Sequence, residues 1–206
     1  MSGVAGLLLA AGASSRMGAP KQMLSAGGPS LLHRMVLTTL NSHLDLVVLV
    51  LGFEARKIRE ALPREIRDPR LRIVENPEYS RGISSSIIAG LSEVEALFDH
   101  VMIVLADMPY ITSETINRLL RGYLASGLAL GAIGRGKRRM HPVIIGRRFY
   151  PQLHRITGDC GARGLFQKFR QEVCIVEPDV GYRDTDIDTP EDYLAFRNSL
   201  EREKDP

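Results

Sequence analysis

The chain has 206 residues, 44% of them hydrophobic, enough for one well-buried core at the upper edge of ordinary single-domain size. Its net charge of +3 is too small to argue for nucleic acid and suits small anionic substrates better. Two cysteines, Cys160 and Cys174, lie far apart without Cys-x-x-Cys spacing, so a zinc site or disulfide framework has no support and a reducing, cytoplasmic setting is expected. No apolar run approaches the roughly 20 residues a membrane span requires.

Residues 4–9 are almost continuously apolar, as in a strand covered on both faces of a parallel sheet. Small residues follow as far as Ser15, and a polyphosphate can come close to such a backbone. Arg16 then offers a planar fork and Lys21 a mobile point charge, two kinds of cation that neutralise phosphate oxygens. Gly12 and Gly18 fit neither the Walker loop nor the dinucleotide fingerprint. A secretory signal is disfavoured because the apolar run has no charged segment before it and meets Arg16 and Lys21 at once.

Beyond the loop, helix and strand patterns alternate. Helices are predicted at 30–42, 54–62, 84–98 and 112–126, with strands at 45–51, 71–75 and 101–106 between them. Two strands, 128–133 and 143–145, flank a basic loop at 135–139. Helical segments at 149–154 and 162–170, a strand at 173–176 and a helix from 190 to 203 complete the pattern. Such alternation predicts a single α/β domain over residues 1–200, doubly wound around a mostly parallel sheet, with a frayed tail at 201–206. Ligands then bind beyond the carboxyl ends of the strands.

Asp107 ends the strand at 101–106, so its carboxylate should project from the same sheet edge as the loop after the first strand. A carboxylate beside a triphosphate repels it unless it holds a divalent cation, so Asp107 is either a metal ligand or a cap of the next turn. Asp184, Asp186 and Asp188 alternate along one run and would lean to one face of a strand. Metal contact by Asp186, Asp188 or both is one reading, and capping of the helix from Pro190 by Asp188 or Thr189 is the other. The stretch from Asn76 through Gly82 to Ser86 can bind an anion or the polar edge of a base at a helix start, or serve as an ordinary N-cap.

The opening motif resembles that of the MobA-like nucleotidyltransferases, and within them the molybdenum cofactor cytidylyltransferases. It reads Leu9-Ala10-Ala11-Gly12, then Arg16-Met17-Gly18, then Lys21. The guanylyl-transferring branch carries a second Gly where this chain has Ala11, which tilts the expected nucleotide to CTP. The resemblance implies a Rossmann-like fold, a nucleotide held by Leu9, Ala10, Ala11, Gly12, Arg16 and Lys21, and metal at Asp107. It extends to Asp186-Ile187-Asp188-Thr189-Pro190-Glu191-Asp192, and to Ser86 and Gly90, which by the same resemblance cup the base. His141-Pro142 and Gly158-Asp159-Cys160-Gly161 match the family's second-substrate signatures.

The implied reaction is Mg²⁺-dependent transfer of CMP from CTP to the phosphate of molybdopterin, releasing pyrophosphate, with Arg16, Lys21 and Asp107 at its centre. GTP, or a sugar or alcohol phosphate acceptor, is the nearest alternative. Another is a non-catalytic carrier of the finished cofactor that serves a molybdenum hydroxylase. A nicotinamide-dependent dehydrogenase is least expected, since the glycine spacing fails.

Overall fold

The computed structural model describes residues 3–14, 17, 20–25, 28–63, 66–136 and 138–202. Seven strands form one sheet: β1 (Val4–Ala10), β2 (Leu46–Leu51), β3 (Leu71–Glu75), β4 (His100–Leu105), β5 (Leu130–Arg135), β6 (Arg138–Gly146) and β7 (Val173–Val176). Their spatial order is β3-β2-β1-β4-β6-β5-β7, and β6 alone runs antiparallel to its neighbours β4 and β5. The expected doubly wound, mostly parallel sheet is therefore present. Seven α-helices accompany it among the described residues: α1 (Leu31–Leu40), α2 (Ala55–Ala61), α3 (Ile83–Ser92), α4 (Ser113–Ser126), α5 (Tyr150–Leu153), α6 (Arg163–Lys168) and α7 (Pro190–Arg202).

Alternate residues of the central strands feed two opposite cores. Leu8, Val47, Leu49 and Val104 pack with α1, α2 and α4 on one face, while Leu7, Val48 and Ile103 pack with α3, α5 and α6 on the other. Each fully buried Leu, Val or Ile contributes about 1.5–3 kcal/mol of transfer free energy. None of the described helices is long and apolar enough to cross a membrane.

From β1 the chain winds outward to β2 and β3, then crosses back so that β4 lies on the other side of β1. The reversal of winding opens a crevice beyond the carboxyl ends of β1 and β4. The loop after β1 and the turn after β4 are the two segments predicted to carry phosphate and metal chemistry.

Two expectations shift. The helix expected over 84–98 ends at Ser92, and turns carry Val94 and Phe98 on into the core side. β6 starts at Arg138 and runs through Pro142, where a short strand from 143 was expected. Ala132 pairs with Val143 and Ile133 with Met140, so His141 and Pro142 bulge out of the ladder and the missing N–H of Pro142 costs no pairing. The last helix, α7, runs to Arg202 within the expected 190–203, and 203–206 lie outside the described residues.

Candidate active site

The loop after β1 is folded by a buried glutamine. Gln22 Nε2 donates to the carbonyls of Ala10 (3.0 Å) and Gly12 (2.9 Å), and the carbonyl of Ala11 between them accepts from Phe53 N (3.1 Å). Three successive carbonyls are thus engaged by protein donors, turned from the side on which an anion would arrive. Ser14, with φ of 52°, accepts from the backbone N of Lys21 at 3.1 Å and closes the loop onto the Gln22 turn. Leu9 and Ala10 form the cavity floor with Gly12, and Ala11 is buried behind them. Arg16 and Gly18 lie outside the described residues.

Lys21 is the centre of the site. Its Nζ donates to Asp107 Oδ2 at 2.7 Å, to Asp188 Oδ1 at 2.8 Å and to the carbonyl of Ile187 at 2.9 Å. Burial alone would lower the Lys21 pKa, but the two carboxylates outweigh it and hold the ammonium above its ordinary value. The three side chains line a cavity of about 210 Å³ together with Gly12, Ser14 and Gln22. Lys21 and Asp107, separated by 86 positions in the chain, therefore meet at the crevice.

Asp107 is set by the turn after β4, where Ala106 N bonds to Leu9 O at 3.0 Å and Ile187 N to Asp107 O at 2.8 Å. The second bond straps the acidic run onto the β4 turn, and buried Ile187 anchors the strap against Leu31 and Phe196. The strap is no strand, so its three carboxylates do not share one face as expected. Asp184 pairs with Arg138 at 2.9 Å and Asp188 with Lys21, while Asp186 is exposed. The Asp186 carboxyl is pushed up first by desolvation, with the charges of Asp188 and Asp107 adding. The α7 cap is Thr189, whose backbone N donates to Asp192 Oδ2 at 2.9 Å while Asp192 N donates to Thr189 Oγ1 at 3.2 Å. Capping thus falls to Thr189 and Asp192, and Asp188 Oδ1 accepts from Lys21.

On the other face of the sheet, Ser86 is buried and accepts from Asn76 Nδ2 at 3.0 Å, as Ser85 does at 2.9 Å. Gly90 is packed between Val50 and Leu7, where it brings α3 close to the sheet. No serine caps α3. Its first residue is preceded by Gly82, and Ile83 N donates instead to Asp159 Oδ1 at 3.3 Å, a cap lent by the Gly158–Cys160 turn. At Gly82 φ is +93° and an added Cβ would fall 2.5 Å from both Asp159 Oδ1 and the Gly158 carbonyl carbon. Gly82→Ala is expected to cost about 2 kcal/mol or more and to part this turn from α3, read as a lower urea midpoint and faster amide exchange at Ile83.

Asp159 and Gly161 line a second cavity of about 480 Å³ with His141, Arg139, Arg163 and Asp184; Gly158 adjoins them with φ of +62°. His141 Nδ1 is buried without a hydrogen-bond partner among the described residues. Burial first, then the charge of Arg139, lowers its pKa to about 4. Between that value and its ordinary 6.5 the unfolded chain binds a proton that the native imidazole refuses, so stability falls with acidification over this window by about 3 kcal/mol at most. The difference in unfolding free energy between pH 7 and pH 4.5 should therefore shrink in His141→Gln; an unchanged difference would show that His141 titrates normally.

Residues 6–173 match the MobA-like NTP transferase domain. The chain belongs to that family. Among similar proteins, the nicotine blue oxidoreductase of Paenarthrobacter nicotinovorans is 31% identical over 195 residues, 91% of this chain and 93% of that one. The molybdenum cofactor cytidylyltransferase of Escherichia coli K12 is 28% identical over 119 residues, 58% of this chain and 59% of that one. A solved structure, the homologue of Mycobacterium tuberculosis Rv0371c from Mycobacterium sp. strain JC1, superposes with a TM-score of 0.82 at 27% identity, covering 97% of each chain. Gln22, which builds the loop, carries no pattern that marked it in the sequence, and Asn76 opened the stretch read there without being marked as the donor that holds the serines.

Proposed function

We propose that the protein transfers the cytidylyl group of CTP to the phosphate of molybdopterin. The observation that carries this reading is Lys21 Nζ bridging Asp107 and Asp188 at the mouth of a small-residue loop. An oxygen of the acceptor phosphate attacks the α-phosphorus, the bond from that phosphorus to the α,β-bridging oxygen breaks, and pyrophosphate leaves with the electron pair. The attacking group is already an anion, so no general base is needed, and the chain's work is to align the reactants and neutralise oxygens. Lys21 moves its ammonium from the carboxylates to the triphosphate, which its four-carbon stem permits.

Asp107 and Asp188 would hold Mg²⁺, and Asp186 adds negative potential beside them. Among the described residues no three acidic, His or Cys side chains cluster as a closed metal cage. Two carboxylates suit magnesium, which keeps waters and takes substrate phosphates for the rest of its shell. When bound, the ion supplies charge neutralisation to the phosphate oxygens.

CTP is favoured over GTP by Ala11 and by the name of the E. coli relative. The cavity that holds His141, Asp159 and Gly161 lies on the β6 side of β4, next to the Lys21 crevice, and is the proposed seat of the acceptor. A molybdenum hydroxylase is the proposed recipient of the product. Incubation with Mg²⁺, each triphosphate and molybdopterin, followed by mass analysis, should give a cytosine dinucleotide and pyrophosphate. A guanine product would move the nucleotide assignment. No product with either nucleotide would replace transfer by carriage, and a redox change of nicotine blue would replace it by the oxidoreductase activity named for the Paenarthrobacter relative.

A further inference from the structure

A third cavity, of about 660 Å³, lies at the sheet edge between α6 and β7, away from the Lys21 crevice. Its charged wall is Arg139, Arg163 and Arg170, its apolar wall Phe166, Val173 and Ile175, and among the described residues no carboxylate lines it. Arg139 is half-buried with its guanidinium 4.5 Å from the centre of the Phe166 ring. Nearby acids are engaged elsewhere: Glu172 pairs with Arg148 at 2.7 Å, Asp184 with Arg138 at 2.9 Å, and Asp159 caps α3. Among the described residues none of the three arginines has an ion pair, although nine others do.

Arg163 and Arg170 are exposed, but half-buried Arg139 is disfavoured as a cation by desolvation and by the charge of Arg163, and an anion in the groove relieves this through charge-assisted, forked hydrogen bonds. Ile175 is 38% exposed, a large apolar side chain at the groove that water covers poorly. The combination selects a ligand with an anionic head and an apolar or aromatic body. Inorganic ions satisfy only the first half.

We propose that the α6/β7 groove is a second ligand site, specific for an organic phosphate or carboxylate with an aromatic or apolar body. Arg139 and Arg163 also line the 480 Å³ cavity, so they form the wall between the groove and the proposed acceptor seat. The same chemistry could thus come from the far end of the acceptor or from a separate effector. The site itself does not depend on the transfer reaction proposed above.

Phenyl phosphate is a suitable probe, titrated calorimetrically into the whole chain with saturating CTP and Mg²⁺ present. We expect it to bind more tightly than inorganic phosphate and to lose about tenfold in affinity in Arg163→Gln and in Arg170→Gln. Lys21→Ala should leave its affinity unchanged. Equal affinity in wild type and both arginine variants, or loss in Lys21→Ala alone, would overturn the site. Inhibition of pyrophosphate release that is competitive with the acceptor assigns the groove to the acceptor's far end, and any other pattern to an effector. The calorimetric arm stands even if no transfer is observed.

Discussion

Lys21→Ala is expected to lower nucleotidyl transfer by at least about 10²- to 10³-fold, the usual loss when one preorganised donor to developing phosphate or oxyanion charge is removed. Its effect on metal binding should have the opposite sign. In the nucleotide-free protein the Lys21 ammonium already neutralises Asp107 and Asp188, at 2.7 and 2.8 Å, and so competes with any cation for them. Without it, Asp107 and Asp188 lose the ammonium that bridges them while Asp186 stays close enough to feel both, so a divalent ion meets less competition there. Lys21→Ala should therefore bind Mg²⁺ or Mn²⁺ more tightly than the wild type in the absence of nucleotide, while transfer collapses. Isothermal titration with Mn²⁺ and a pyrophosphate-release assay read the two effects separately. Lys21→Ala that turns over normally would remove the lysine from the mechanism, and weaker Mn²⁺ binding would detach the carboxylate pair from the metal.

The order of elements and the crevice were legible because they rest on hydrophobic alternation, which survives at the level of single residues. Residues 4–9, 46–51 and 101–106 are apolar on both faces, and they account for most of the three central parallel strands. Lys21 and Asp107 could be brought to one edge by that logic alone, because each follows a strand of the same direction beside the other. Polar residues that act on the backbone were not legible. Gln22 is one of several glutamines in the chain, and only the folded loop shows that its amide replaces the pairing that carbonyls of Ala10 and Gly12 would find in a sheet. Asp159 lines the cavity of His141 and Gly161 and also accepts from the first N–H of α3, a contact across 76 positions that no local pattern encodes. Pro142 misled by its ordinary meaning: it ends strands by withholding an N–H, yet here the bulge absorbs that loss. The three-carboxylate face failed for a related reason, since alternation orients side chains only where a neighbouring strand holds the backbone extended.

Asp107→Asn separates the two parts Asp107 plays. As a structural partner it is replaceable: Lys21 retains Asp188 and the Ile187 carbonyl, and the amide oxygen introduced by the substitution can still accept from it. The side chains of Lys21 and Asp107 are also partly solvated, so the loss of one charge from this group should cost about 1 kcal/mol, a change of a few degrees in Tm. As a proposed metal ligand it is not replaceable, because an amide brings no net charge to an ion that must sit beside a triphosphate. The wild type should gain thermal stability on adding CTP with Mg²⁺ beyond the gain from CTP alone, by the logarithm of ligand saturation. Asp107→Asn should keep the gain from CTP, lose the increment from Mg²⁺, and transfer at least about 10³-fold more slowly. An increment that survives the substitution would place the ion elsewhere, and a variant that loses binding of CTP alone would mean that Asp107 serves the loop rather than the metal.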